Sequence, residues 1–181
     1  MKRVSAFFAL MSFFGVCHAI ECDRTGRPSK TPYGVLTGYS CEGIGEKSFY
    51  FLDLDGKKIL QDSFLAREDL NQGRSVWVYA GGGSVTTGCA KQLYLLDLAK
   101  VPVKIFAFGV RNACNEFHWA SWGEKRSVIA LKKNVSFVYE SGKLTPPPAG
   151  AKLWNDIEAP HAGQGLKEED AIPFVEELKL P

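Results

Sequence analysis

An all-β fold of about three antiparallel sheets is the class this sequence predicts, and two observations carry the prediction. The first is a recurring line: FYFLDLDGKK at 49–58 returns as LYLLDLAKVPVK at 93–104 and, more faintly, as SFVYESGKL at 136–144. Its acidic anchors Asp53, Asp97 and Glu140 lie 44 and 43 residues apart, a near-constant interval that marks a repeat architecture. The second is the character of the line itself. Tyr, Phe and Leu lead to an acidic residue and then to Gly or Pro with Lys, which is a strand followed by a turn, with no helical period. An aromatic strand returning at this interval is the mark of sheets packed face to face on their neighbours, so the expected architecture is a small propeller-like array.

The first element in order is a targeting segment. Residues 1–19, MKRVSAFFALMSFFGVCHA, hold two basic residues, an apolar run and a small residue at Ala19. This pattern reads as a secretory signal peptide cleaved after Ala19, too short and wrongly flanked for a membrane span. Cys17 is not read as a lipidation site, because Val16 stands where a small residue is expected before such a cysteine. Removing the segment takes Lys2 and Arg3 and no acid, so the 22 basic and 20 acidic residues become 20 and 20. A mature chain with no net charge and no dense basic stripe lacks the footprint of a nucleic-acid binder or of an anionic-membrane binder.

The propeller-like domain is expected over 20–144. Strands are predicted near 48–54, 75–80, 92–98, 127–132 and 135–140. VWVYAGGG and SVIALKKN supply the strand before the repeated line, each after a basic residue, Arg74 or Arg126. In the last unit Lys132, Lys133 and Asn134 form a short hairpin connection. In the middle unit the same connection is stretched through AGGGSVTTGCAKQ, an insertion at a hairpin tip, where repeat proteins place function.

After Leu144 the pattern stops. TPPPAGAKLWNDIEAPHAGQG reads as an extended Pro- and Gly-rich strap, and LKEEDAIPFVEELKL as one or two helical turns interrupted at Pro173. Residues 145–181 are expected to pack on the domain through Trp154, Phe174 and Leu178. A strap of this length also admits a partner-binding role.

Cys22, Cys41, Cys89 and Cys114 remain after processing, an even set that reads as two disulfides in an exported chain with three possible connectivities. Cys41 and Cys89 occupy the same tip region of successive units. Local closure is therefore expected, Cys22 with Cys41 and Cys89 with Cys114. The second bridge would tie the inserted loop to the next connection and hold it rigid.

Catalytic and metal chemistry find little support. The nearest nucleophile and base in sequence are Cys114 and His118, and the thiol is better used in a disulfide. There is no CxxC or HxxxH, and Asp53–Gly56 lacks the rest of a calcium loop. The Gly83–Gly88 spacing resembles a phosphate loop, but Cys89 stands where the Lys must be. No cofactor is implied and no catalytic residue is assigned. Recognition is what remains. The inserted loop, with Gly82, Gly83 and Ser84, can bring its backbone close to another surface. The turn that follows holds Asn115, Glu116, His118, Trp119 and Trp122, polar groups interleaved with aromatics as in protein interfaces.

Residues 117–144, FHWASWGEKRSVIALKKNVSFVYESGKL, resemble a blade of the WD40 or PD40 type. Trp119, Ser121, Trp122 and Gly123 stand in its first part, and Val128, Ile129, Phe137, Val138, Gly142 and Lys143 in its second. A small exported chain with few blades, two disulfides and protruding loops also resembles, in architecture, periplasmic immunity proteins against cell-wall-degrading toxins. That resemblance implies a periplasmic or secreted, non-catalytic protein that blocks a secreted hydrolase. The competing classes are an envelope enzyme or glycan-binding protein, and a subunit of an envelope assembly. A pocket with convergent acids and a perturbed pKa would favour an enzyme.

Overall fold

Thirteen strands fill the computed structural model, which describes residues 20–42, 47–83, 89–132, 135–148 and 172–180. They form three antiparallel sheets. The first is a meander of β1 (Glu21–Thr31), β2 (Gly34–Glu42), β3 (Phe49–Leu54) and β4 (Lys57–Asp62). The second runs through β5 (Leu65–Asn71), β6 (Val76–Gly81), β7 (Gln92–Asp97) and β8 (Lys104–Val110), with β13 (Pro173–Leu178) added beside β8. The third is the meander β9 (Phe117–Trp122), β10 (Arg126–Leu131), β11 (Val135–Glu140) and β12 (Lys143–Thr145).

The repeated line is the third strand of every meander. Asp53, Asp97 and Glu140 stand at equivalent points near the ends of β3, β7 and β11, where the chain must turn. Asp53 Oδ1 accepts the Gly56 amide at 2.8 Å, and Asp97 Oδ1 accepts the Ala99 amide at 2.9 Å. Two of the three turns, Asp55–Gly56 and Ser141–Gly142, place both residues at positive φ. That is the conformation of a tight two-residue hairpin, which glycine adopts without strain. All five strands expected from sequence lie where the spacing put them.

The middle sheet is buried on both faces, and its residue parity shows how. Val76, Val78 and Ala80 join Leu93, Leu95, Phe106 and Phe108 in a core shared with Ile129, Leu131, Val135 and Phe137 of sheet 3. The alternate residues Trp77, Tyr79, Tyr94, Leu96 and Ile105 join a second core with Leu36, Leu52, Ile59 and Leu60 of sheet 1. Because side chains alternate across a strand, only a strand apolar at nearly every position can serve two cores at once. The three meanders therefore stack in chain order, with sheet 2 between its neighbours. Among the described residues neither core joins sheet 1 to sheet 3.

Buried or half-buried carboxylates link the layers. Tyr94 of sheet 2 donates its hydroxyl to Asp62 Oδ2 at the end of β4, at 2.6 Å. Trp122 Nε1 of sheet 3 donates to Asp69 Oδ2 of β5 at 3.1 Å, and the Tyr139 hydroxyl of β11 donates to Asp97 Oδ2 of β7. Lys104 of β8 adds a bond to the Gly142 carbonyl at 3.2 Å.

The C-terminal reading is corrected in part. Residues 173–178 are strand β13, not a helical turn, while residues 165–171 and Trp154 lie outside the described residues. The cause is the open edge of β8, whose backbone groups need partners that a one- or two-turn helix would leave unpaired. β13 supplies them along its whole length, from Pro173 opposite Val110 to Leu178 opposite Ile105. Its period-2 pattern fits both cores: Val175 packs on one, Phe174 and Leu178 on the other. Arg111 fastens the start, its amide bonded to the Ile172 carbonyl and its guanidinium to Glu176 at 2.8 Å.

The carboxylate links set a stability test. Replacing Asp97 with Ala orphans the Tyr139 hydroxyl and the Ala99 amide together, and should cost about 3 kcal/mol; Tyr139→Phe should cost about half as much, both read by denaturant unfolding. Burial, and then the hydrogen bonds and charges of Asp62 and Asp97, push the Tyr94 and Tyr139 phenols well above the ordinary tyrosine range. The native state thus keeps protons that the unfolded chain releases above about pH 10, so stability should fall as pH rises past that value. In an ultraviolet titration these two phenols should ionise only as the protein unfolds.

Candidate functional site

The inserted loop and the turn after β8 meet at one end of the molecule. Gly82 and Gly83 continue β6 at φ +67° and +78°, and the Gly82 amide bonds to the Phe64 carbonyl at 3.2 Å. A side chain at Gly83 would run into the Cys89 backbone, so glycine is required there for a close approach. Ser84, like the rest of 84–88, lies outside the described residues. The chain returns at Cys89, which is bridged to Cys114 with Cα atoms 5.1 Å apart. Cys22 is bridged to Cys41, its direct partner in the β1–β2 register, with Cα atoms 4.0 Å apart. Both expected pairings are present. They are the covalent signature of an oxidising environment, extracellular or periplasmic.

Asn115 is the clamp of this end. Its side chain is 1% exposed. Oδ1 accepts the Val110 amide at 2.7 Å, while Nδ2 donates to the carbonyls of Lys91 at 2.8 Å, Val110 at 3.1 Å and Ala113 at 3.2 Å. Its own amide bonds to the Ala90 carbonyl at 2.9 Å. A Cβ at Gly109 would lie 2.7 Å from Asn115 Oδ1, so that glycine makes room for the amide group. The side chain singled out from sequence as a contact is thus turned inward, where it joins the inserted loop to the turn.

A groove of about 280 Å³ opens beside the clamp, between the free edge of β5 and the start of β9. It exists because the residues lining its base are small, the buried Ala80 and Ala90 with Ala66 beside them. Phe64 and Phe117 line it too, and its charged groups are Glu68, Glu116 and Lys132. Glu116 pairs with Lys132 at 2.5 Å and accepts the Lys132 amide on its backbone carbonyl at 2.8 Å. The hydrogen bond and charge of Glu116 raise the Lys132 pKa.

Two β-bulges aim side chains at this end. Between Arg67 and Asp69 the β5–β6 register shifts, leaving Glu68 as the extra residue. A second shift, between Ala130 and Leu131, leaves His118 as the extra residue of β9. Bulges bend a strand and redirect its side chains, and they concentrate at sheet edges. The one at His118 lets Phe117 and Ala120 both pack on the core while Trp119 turns outward, 44% exposed. Glu68 is also exposed to solvent at its outer side, yet desolvation by the groove raises its pKa above the ordinary glutamate value.

Of the residues expected to bind, Gly82, Gly83, Asn115 and Glu116 gather around the groove and its clamp, and His118 and Trp119 stand exposed on the adjoining strand edge. Phe64, Ala66, Glu68 and Lys132 were not anticipated. LAREDLN carries no alternation that would mark β5, and only pairing with β6 shows Glu68 to be a bulge. Among the described residues no three His, Cys, Asp or Glu side chains converge as a metal site. No protein-family model matches the chain, and no curated protein or solved structure matches it.

Asn115→Ala should cost about 3 kcal/mol, because it orphans the buried Val110 amide and the Lys91 carbonyl. Asn115→Asp should be at least as damaging, since a carboxylate cannot donate to the three carbonyls. For Glu68 the raised pKa means that the folded state holds a proton the unfolded chain has lost. Stability should then fall as pH rises from the ordinary glutamate value through the folded one. Glu68→Gln should flatten that part of the pH profile, measured as Tm against pH, and a carboxyl NMR titration should find Glu68 titrating late.

Proposed function

We propose that this is an exported, non-catalytic binding protein that blocks a secreted toxin or cell-wall hydrolase, an immunity-type role. The observation that carries the reading is the exposed Trp119 beside the bulged His118, on a strand edge next to a loop closed by the Cys89–Cys114 bridge. Large exposed aromatics supply much of the energy at protein interfaces. The meanders keep the 44- and 43-residue spacing of the propeller-like reading, but they stack in chain order and neither described core joins sheet 1 to sheet 3, as a closed ring of blades requires. Export to the periplasm or beyond agrees with the two disulfides and with the leader-like residues 1–19, which lie outside the described structure.

A second reading has one observation in its favour. Glu68 and Glu116 line a single groove, and one of them has a raised pKa, the pattern of a general acid beside a charged carboxylate. An envelope enzyme or glycan-binding protein would use them. The Glu116–Lys132 pair, which occupies one of the two carboxylates, favours binding over catalysis.

The two readings separate in one set of measurements on the mature, oxidised chain. Under the binding reading it shows no lytic activity on cell-wall glycan, protects against a cognate secreted hydrolase, and loses about tenfold or more in affinity on Trp119→Ala with no change in Tm. Ser84→Arg should weaken binding by added bulk. Glycan cleavage by the chain itself, abolished by Glu68→Gln, would establish the enzyme instead.

A further inference from the structure

A second cavity, of about 260 Å³, lies between sheet 1 and the other side of β5, away from the groove already described. Its cations come from two different sheets. Arg27 sits in the irregular stretch of β1, where the register with β2 shifts between Thr25 and Ser29 and Gly26 takes φ +70°. Arg67 stands at the bulge of β5, directly opposite Tyr79 in the β5–β6 register. Its charge acts on the Tyr79 phenol, which burial otherwise drives above the ordinary range. Two departures from regular pairing thus place two arginines, both exposed to solvent, on the lining of one cavity.

Around them the lining combines hydroxyls and aromatic rings with the apolar Leu36, Leu52 and Leu65. Tyr50 and Tyr79 contribute rings with hydroxyls, and Thr25 and Ser29 contribute hydroxyls. No described Asp or Glu lines the cavity, and among the described residues neither arginine forms an ion pair. Room is kept by Gly38, where a Cβ would lie 2.6 Å from Thr25 Oγ1. A carboxylate entering the cavity could pair with either arginine, or bridge both, through forked hydrogen bonds.

We propose that this cavity binds an acidic sugar, its carboxylate held by Arg27 and Arg67 and its ring and hydroxyls by Tyr50, Tyr79, Thr25 and Ser29. A simple anion would satisfy the arginines alone. The tyrosine rings and the hydroxyl set fit a polyhydroxylated ring with apolar C–H faces and an acid group. The site is independent of the groove at Glu68 and Trp119, so it stands whether the chain blocks a partner or acts on a glycan.

The test is calorimetric and NMR titration of the mature, oxidised protein with glucuronic acid and its short oligomers, beside glucose oligomers and acetate. Acidic oligomers should bind and shift the Tyr50 and Tyr79 ring signals, while neutral oligomers should bind at least about tenfold more weakly, since they leave both guanidinium groups unpaired. Arg27→Ala and Arg67→Ala should each weaken acidic-sugar binding about tenfold, with Lys at either position restoring part of it. Added salt should weaken binding too. Because both arginines are side chains of strand irregularities, unchanged circular dichroism and Tm in the variants distinguish lost binding from lost folding. Should a variant fail to fold, Tyr50→Phe and Ser29→Ala test the same contacts. Equal binding of acidic and neutral oligomers, no binding of either, acetate binding as well as the acidic oligomers, or undiminished binding by the Arg27→Ala/Arg67→Ala double variant would overturn the proposal.

Discussion

Burial of one sheet on both faces is the constraint from which the rest of this structure follows. β6, β7 and β8 present apolar side chains to two cores at once, so both neighbouring sheets must lie against them and neither can be peeled away without exposing half the interior. A sheet buried on both faces also cannot leave its edges in water at no cost, because its backbone groups there lack partners. On one side β13 closes the edge of β8. On the other, β5 remains the edge, and it is polar, bulged and beside both cavities.

The links between layers obey the same logic. Apolar packing between stacked sheets is strong but weakly directional, and it leaves sliding of one sheet over another inexpensive. A phenol or indole donating to a carboxylate across the gap removes that freedom, since the bond survives only at one registration. Asp62, Asp69 and Asp97 each serve this purpose, and each stands at a strand end or a bulge, Asp62 and Asp69 half-buried and Asp97 buried. For Asp97, hydrogen bonds to both carboxylate oxygens, from the Ala99 amide and the Tyr139 hydroxyl, offset part of the cost of burying the charge.

The candidate site sits where regular pairing gives way. The Asn115 clamp and the Cys89–Cys114 bridge hold the long connections at the end of sheet 2, so the groove beside them has fixed walls although loops form much of it. Small residues at Ala66, Ala80 and Ala90 leave the space that larger side chains would have filled. Bulges at Glu68 and His118 turn one residue each out of its strand's alternation, so each end of the groove's surroundings gains a polar group without breaking the core face.

What the sequence determined by itself was the repeat. The 44- and 43-residue interval, the aromatic strands at its phase and the turn residues after Asp53 and Glu140 are local signals, and they located the third strand of each meander and, in the second and third meanders, the strand before it. Cysteine phase sufficed for both disulfides. The polar strands β1 and β5, and β13 behind its acidic run, were illegible because their pairing is enforced by a neighbour's open edge and not by their own alternation. The inward turn of Asn115 was illegible for a related reason. An amide satisfies backbone groups 5 and 24 residues away only once the tertiary fold has brought them together. Glu68 and the two cavity-lining arginines depend likewise on register shifts, which leave no mark in composition or spacing because they arise from how two strands meet.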